Sequence, residues 1–337
     1  MGKGLSQGPE GRVPVVVMGL GYIGQEICRA ALQSEEVELI GAVDKSPQLK
    51  GKKLSDLLGP SAGTVRVVGD LKAAVNKRRG VVLLHATGSR LPQVMDQLLE
   101  AIELGMPISS TCEELAFPYL KHPALAEQLE RAATKGNVAV LGTGVNPGFV
   151  LDRFVAMAGQ VCGPVRGVVA KRVVDARTRR EALQRKIGAG LDEAEFMRLV
   201  DKEQLGHVGL MESAALCALG LGMDCDDFEE EIAPVIAEED IKGGAFLVRA
   251  GRVAGISQTA VGLQEGQERV RLELTIAVGA TVAMDTIEID AEPKVRVEVP
   301  GGMAGDKATA HLVVNAAPRL TAAQPGLLTG LELPAGR

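Results

Sequence analysis

The hydrophobic pattern changes period along the chain. Up to about residue 150, short apolar runs alternate with stretches whose apolar positions fall three or four apart. Val15–Val17, Val37–Val43, Thr64–Val68, Val81–His85, Pro107–Ser110 and Val138–Leu141 read as strands. Between them, Ile23, Ile27, Ala30 and Ala31 share one helical face, and Leu91, Val94, Met95, Leu98, Leu99 and Ile102 share another. A further helix covers about Pro123–Lys135, and the polar, glycine-containing Lys45–Gly63 reads as a loop with a short helix. Nearly all-apolar strands separated by amphipathic helices predict a parallel sheet covered on both faces, the doubly wound α/β Rossmann arrangement.

From Leu151 the alternation breaks down. Helices are predicted over Leu151–Gln160, Asp192–Val200 and Leu210–Leu221, with a strand over Val165–Val174. Ala245–Val248, Val253–Ile256, Val270–Val278, Val282–Ile289 and Lys294–Val299 then read as antiparallel strands, with Val270, Leu272, Leu274 and Ile276 on one side. The acidic stretch Asp224–Asp240 lacks calcium-loop spacing and is expected on the surface. An apolar helix over Lys307–Ala317 fits a return to the first domain, and the Pro/Gly/Leu-rich tail from Pro318 is expected to lie along the surface. The predicted organisation is a loose tail over 1–12, a dinucleotide-binding domain over 13–150, an α+β domain on a mostly antiparallel sheet over 151–303, and a returning helix and tail over 304–337.

The first strand runs directly into Gly19-Leu20-Gly21-Tyr22-Ile23-Gly24, a helix follows, and the second strand ends at Asp44. Strand, glycine turn, helix, strand and then an acid about 20 residues past the last glycine make up the dinucleotide fingerprint in its required context. The first glycine permits the tight turn, the second lets a pyrophosphate reach the backbone, and the third lets helix and strand pack closely. The helix start offers free N–H groups to the phosphates. Asp44 is suited to a ribose 2′-hydroxyl, which favours NAD. Lys45 and Ser46 beside it are able to accommodate the 2′-phosphate of NADP if Asp44 turns aside.

Ligands of such sheets bind beyond the carboxyl ends of the strands. His85-Ala86-Thr87-Gly88-Ser89 follows one strand. Ala86, Thr87 and Ser89 are candidate coenzyme contacts, although Ser89 serves equally well as a helix cap. Thr111-Cys112-Glu113-Glu114 follows the next strand and brings two adjacent carboxylates. Ser110 with Glu113, or Thr111 with Glu114, has capping-box spacing. If Thr111 caps, Glu114 folds back and Glu113 faces the cleft as a general base. Asn146-Pro147-Gly148 is expected to open a helix, with Asn146 either capping it or reaching the ligand.

The densest basic stretch, Arg172 through Arg177, Arg179 and Arg180 to Arg185, reads either as a solvated face or as an arginine fork for a substrate carboxylate. His207, between Gly206 and Val208, is a further candidate contact. Composition narrows the field. A net charge of −6 over 337 residues argues against nucleic acid as a main partner. Five scattered cysteines, without metal spacing, read as reduced thiols of a cytoplasmic protein, and no metal site is expected. No apolar run reaches membrane-spanning length. With no Trp, six Phe and two Tyr, the cores must be aliphatic.

The stretches LHATGS (84–89), SSTCEELAFPYLKHP (109–123), VLGTGVNPGFVLD (140–152), KRVVDARTRREALQRKIGAGL (171–191), GHVGLMES (206–213) and GDKATAHLVVNAAPRL (305–320) together resemble the 2,4-diaminopentanoate dehydrogenases. Relatives of these enzymes include native amine dehydrogenases and dihydrodipicolinate-reductase-like proteins. The resemblance spans about residues 13–333. It implies NAD(P)-dependent oxidative deamination of an amine-bearing carbon by a homodimer, with ketone and ammonia as products. It also implies a glutamate base in Thr111–Glu114; Thr111, Asn146 and Asn315 are further candidate coenzyme contacts. The capping argument favours Glu113, with Glu114 second. Where native amine dehydrogenases carry aromatic pockets, this chain carries Arg172, Arg177, Arg179 and Arg180, which points to a charged diamino acid. Two other readings are an imine reductase of the dihydrodipicolinate reductase type and a nucleotide-binding sensor without turnover.

Overall fold

The computed structural model describes residues 11–179, 181–280 and 282–334. It divides into two compact units. One runs to Phe149 and resumes at Ala304, and the other is Val150–Met303. Most of the loose tail expected over 1–12, and Arg180, lie outside the described residues.

The first unit opens with β1 (Val13–Met18), α1 (Tyr22–Gln33), β2 (Val37–Val43), α2 (Leu54–Leu58), β3 (Val67–Val68), α3 (Leu71–Val75), β4 (Val82–His85), α4 (Leu91–Glu103), β5 (Ile108–Ser110), α5 (Pro123–Gly136) and β6 (Ala139–Gly142). The strand predicted over Thr64–Val68 shrinks to two residues. Val65 and Arg66 instead pair back onto the entry to α2, where the Leu54 N–H donates to the Val65 carbonyl at 2.8 Å. No helix opens at Asn146. Residues 144–150 form turns, the Asn146–Pro147 peptide is cis, and α6 starts only at Arg153, where Asp152 accepts the Arg153 N–H.

The second unit contains α6 (Arg153–Gly159), β7 (Gly167–Asp175), α7 (Glu181–Lys186), α8 (Glu193–Asp201), α9 (Leu210–Gly220), β8 (Asp227–Ile236), β9 (Val253–Gln264), β10 (Gln267–Ala277), β11 (Met284–Asp290) and β12 (Val295–Pro300). Its sheet has the order β12-β11-β7-β10-β9-β8. Only the β7–β10 pair is parallel. The acidic stretch lies at the surface as expected, with Asp227, Glu229, Glu230 and Glu231 exposed, but it forms strand β8, which the sequence did not show. Consecutive Glu229, Glu230 and Glu231 hide the period of two, yet the segment pairs with β9 along its whole length. As an edge strand, it is kept from pairing further by those charges. Ala245–Val248 forms no strand and contributes one bridge, Ile241 to Val248.

The chain returns through α10 (Gly305–Leu320) and β13 (Gly326–Leu328). Here too an expectation is corrected. The tail does not lie along the surface. Pro318 sits inside α10, and β13 pairs in parallel with β6 and is buried. The result is a seven-stranded, wholly parallel sheet, β13-β6-β5-β4-β1-β2-β3. Alternate residues of β1 face opposite layers. Val15 and Val17 pack with α1 and α10 through Ile27, Ala31, Val313 and Ala317, while Val16 packs with α4 through Val94 and Leu98. Both layers are aliphatic, and the strand ends are held rigidly enough to carry a site.

Candidate active site

The carboxyl ends of β1, β2 and β4 converge on one cleft of about 410 Å³ in the first unit. Gly19, Gly21, Asp44, Lys45, Ala86 and Thr87 line it, together with Gly69, Asp70, Gln97 and Glu100. The three glycines differ in what they avoid. Gly19 has φ +90°, and a side chain there would strike the Ala86 carbonyl at 2.4 Å. A Cβ on Gly24 would lie 1.7 Å from the Gly19 carbonyl oxygen. A Cβ on Gly21 would meet nothing within 4 Å. The first and third glycines are therefore required by the protein's own packing, whereas the second keeps clear a space that no protein atom fills. Gly21 is also the cap of α1 and provides no side-chain hydrogen bond. An open, uncapped helix start in front of a glycine is what a pyrophosphate needs.

Asp44 stands at the end of β2. One carboxylate oxygen accepts the Leu20 N–H at 2.7 Å and the other the Ser46 N–H at 2.7 Å. It thus clamps the glycine turn, and each oxygen keeps lone-pair capacity for a ribose hydroxyl. The other predicted coenzyme residues do not line this cleft. The Leu20 side chain is buried in the core and Ile23 packs against the same cluster, while Tyr22 is half-exposed. Ser89 does not cap α4; its carbonyl accepts the Glu114 N–H at 3.2 Å. The Thr111 N–H bonds to the His85 carbonyl, joining β5 to β4. Asn146 sits in the 144–150 turns, which Thr309 of α10 ties down through the Val145 N–H at 3.0 Å. Asn315 lies on α10, where its carbonyl accepts from Arg319.

The two glutamates are placed very differently. Glu114 is buried, 1% exposed. Its Oε2 accepts the Leu91 N–H at 2.7 Å and the His122 Nε2–H at 2.9 Å, and Arg90 approaches at 3.5 Å. The capping-box expectation is corrected here. Glu114 does not fold back on its own short turn, Glu113–Ala116, which has no side-chain cap. It caps the neighbouring helix α4 instead. Tertiary proximity wins because the start of α4 is buried and needs an acceptor. Glu113 is partly exposed at the start of that turn.

A polar chain runs from the buried ends of β4 and β5 into the cleft wall. His85, wholly buried, places Nδ1 2.8 Å from Ser110 Oγ and Nε2 2.7 Å from Thr87 Oγ1 and 3.1 Å from Gln97 Oε1. Thr87 Oγ1 donates to Gln97 Oε1 at 2.7 Å, and the Cys112 N–H donates to Ser110 Oγ at 3.1 Å. Burial pushes the imidazole pKa down to about 4.

In the second unit the arginines have partners. Arg172 is buried, with Nη1 on both oxygens of Asp285 at 2.8 and 2.7 Å and Nη2 on the Met303 carbonyl. A guanidinium so committed holds the turn at Gly301–Met303 and is not placed to read a substrate, contrary to expectation. Arg177 is paired with Asp175 at 2.7 Å. Gln184, fully buried, gathers the carbonyls of Ala176 at 2.9 Å, Arg177 at 3.4 Å and Arg179 at 2.8 Å and accepts the Ala245 N–H, so the basic turn is rigid. Gln258 grips His207 at both backbone groups, 2.8 Å each, and donates to Glu230.

Comparison with known proteins decides the family. Residues 149–337, more than half the chain, match the model of the 2,4-diaminopentanoate dehydrogenase C-terminal domain, and 13–108 match that of the dihydrodipicolinate reductase N-terminus. The chain belongs to the 2,4-diaminopentanoate dehydrogenase family. It is 28% identical to the 2,4-diaminopentanoate dehydrogenase of Acetoanaerobium sticklandii, with 97% of this chain and 94% of that protein covered. A 4-hydroxy-tetrahydrodipicolinate reductase from Synechocystis is 32% identical, over 29% of this chain and 38% of its own length. Among solved structures, an amine dehydrogenase from Mycobacterium smegmatis shares the fold at TM-score 0.83 and 23% identity, covering 96% of this chain and 97% of that one. GenD2 from gentamicin A biosynthesis, solved with NAD, does so at TM-score 0.56 and 15% identity, covering 98% and 92%.

Like its family, this member is an NAD(P)-dependent oxidoreductase, and the open space at Gly21 fits the coenzyme. Sequence reasoning missed His85, Ser110, Gln97, Gly69, Asp70 and Glu100 as site residues of this family member. His85 and Ser110, last residues of their strands, were open to discovery by the rule that ligands gather at carboxyl ends. Gln97 and Glu100 lie on the polar side of an amphipathic helix and gave no signal. Among the described residues no helix is long and apolar enough to cross a membrane, and no acidic, His or Cys group is clustered to hold a metal ion.

Proposed function

We propose that this chain catalyses the NAD(P)-dependent oxidative deamination of a diamino acid, 2,4-diaminopentanoate, to 2-amino-4-oxopentanoate and ammonia. The observation that carries the reading is the division between the paired glutamates. Glu114 is buried and caps α4 while meeting His122, whereas Glu113 of the same Thr111–Glu114 loop is partly exposed, within reach of a ligand and of solvent. When bound, the nicotinamide coenzyme supplies the hydride acceptor. Glu113 takes one proton from the substrate ammonium and, being partly exposed, releases it to solvent, leaving the carboxylate ionised beside the neutral amine whose lone pair drives hydride loss from the adjacent carbon. The same carboxylate stabilises the iminium cation by its opposite charge. It then takes a proton from the attacking water, and the carbinolamine collapses to ketone and ammonia.

The charged substrate class is inferred from the basic turn of the second unit, whose Arg177 and Arg179 carbonyls Gln184 holds. The competing imine-reductase reading draws on the reductase family model over residues 13–108, whereas the model that covers 149–337 is that of the 2,4-diaminopentanoate dehydrogenases. To test the reading, NADH formation is followed with NAD⁺ and 2,4-diaminopentanoate. Glu113→Gln keeps the shape and removes the basicity. It lowers kcat by about 10²–10⁴-fold with NADH affinity and melting temperature nearly intact. Normal turnover in that variant refutes the assignment.

A further inference from the structure

With the Gln97 amide oxygen turned to Thr87 and His85, the chain of polar groups that runs from Ser110 to the cleft wall has one consistent set of protons. The Cys112 N–H can only donate, so it occupies one lone pair of Ser110 Oγ. Gln97 Oε1 can only accept, so Thr87 spends its hydroxyl proton on it. Facing His85 Nε2, Thr87 Oγ1 and Gln97 Oε1 are then both acceptors, and Nε2 must carry the hydrogen. In a neutral ring Nδ1 is then an acceptor, and the Ser110 hydroxyl donates to it at 2.8 Å. Burial keeps the ring neutral. Every donor points the same way, from Ser110 through His85 and Thr87 to Gln97, so each bond polarises the next.

The two ends of this chain lie in different places. Thr87 and Gln97 form part of the cleft wall. Ser110 is fully buried, and through the Cys112 N–H it sets the backbone from which Glu113 departs. Strand pairing makes the link direct, since His85 and Ser110 are opposite partners in the β4–β5 ladder. Because the Gln97 oxygen is consumed, what Gln97 offers a ligand in the cleft is its NH₂ pair. The wall is thereby set to meet an acceptor atom on the coenzyme.

We propose that His85 is a positioning residue that couples the coenzyme cleft wall, Thr87 and Gln97, to the Glu113 loop through Ser110. The coupling to Glu113 rests on the reading of that residue as the base, while the coupling to the wall does not. The test therefore uses two readouts that need no turnover. In protein labelled with ¹⁵N-histidine, four histidines give a tractable spectrum, with His85 assigned by His85→Gln. The expected ring is the neutral Nε2–H tautomer at pH 7, and its nitrogen shifts move when NADH is added. An Nδ1–H tautomer or an imidazolium overturns the proposal.

The second readout is NADH affinity by fluorescence titration. Ser110→Ala, remote from the cleft lining, weakens binding by about five- to tenfold because His85 loses its donor. Ser110→Thr restores it, and in a His85→Gln background Ser110→Ala has no further effect. Wild-type affinity in Ser110→Ala, or effects of Ser110→Ala and His85→Gln that simply multiply, overturns the coupling. If these binding results hold while Glu113→Gln turns over normally, the base assignment fails and the coupling to the wall stands.

Discussion

Replacing Glu114 by Gln separates the two neighbouring carboxylates most cleanly. The buried carboxylate accepts the Leu91 N–H at 2.7 Å and the His122 Nε2–H at 2.9 Å. A glutamine with its carbonyl turned to both donors keeps both bonds but makes them neutral. Charge-assisted bonds contribute about 1.5–3 kcal/mol and neutral ones about 0.5–1.5, so the change costs roughly 1 kcal/mol per bond. Losing the negative charge at the start of α4 adds about 0.3–1 kcal/mol. The Arg90 contact, 3.5 Å long on a third-exposed side chain, adds little. The sum, about 2–3 kcal/mol, lowers the melting temperature by about 5–10 °C for a cooperative body of this size. Turnover of the folded enzyme stays within a few fold. The assay pairs a melt followed by circular dichroism with kcat measured well below the transition. A variant that melts within about 1 °C of wild type while kcat collapses shows that Glu114 is the base, and the reasoning fails.

Gly21→Ala leaves the melting temperature unchanged but weakens NADH binding, because its methyl enters space reserved for phosphate, whereas Gly24→Ala fails to fold properly since its Cβ overlaps the Gly19 carbonyl; equal melting of the two variants, or wild-type NADH affinity in Gly21→Ala, refutes this. NAD⁺ is preferred over NADP⁺ in kcat/KM, because Asp44 repels a 2′-phosphate and is held in place by Leu20 and Ser46; a preference for NADP⁺ of about tenfold defeats it. His85 makes stability fall on acidification. Its folded pKa of about 4 lies below the ordinary 6.5, so the unfolded chain takes up the proton first as pH drops from about 6.5 to 4. Its ring partners Ser110, Thr87 and Gln97 do not titrate, and the loss approaches about 3 kcal/mol at the acid end. His85→Gln removes that part of the pH dependence, and denaturant melts with unchanged acid sensitivity contradict it.

The sequence alone determined whatever depends on near neighbours along the chain. The glycine turn, the helix after it and Asp44 form a continuous local pattern, so the coenzyme end of the fold was legible from residues 13–44. The switch from nearly all-apolar strands to alternating ones separated the parallel sheet from the mostly antiparallel one. Tertiary structure decided whatever joins residues far apart in sequence. Capping-box spacing assigned Glu114 to its own turn, but the unsatisfied start of α4, 23 positions away, claimed it. The basic stretch looked uniform, yet Asp285, 113 positions from Arg172, withdrew that one guanidinium from any role in recognition. Strand β13 was too short to show a period and exists because β6 presents an open edge for it. The chain from Ser110 to Gln97 needs two strands and a helix brought together. Local pattern encodes which element forms and which face it buries. It does not encode which orphaned donor a buried carboxylate will meet, because that pairing depends on positions that only the packed sheet defines.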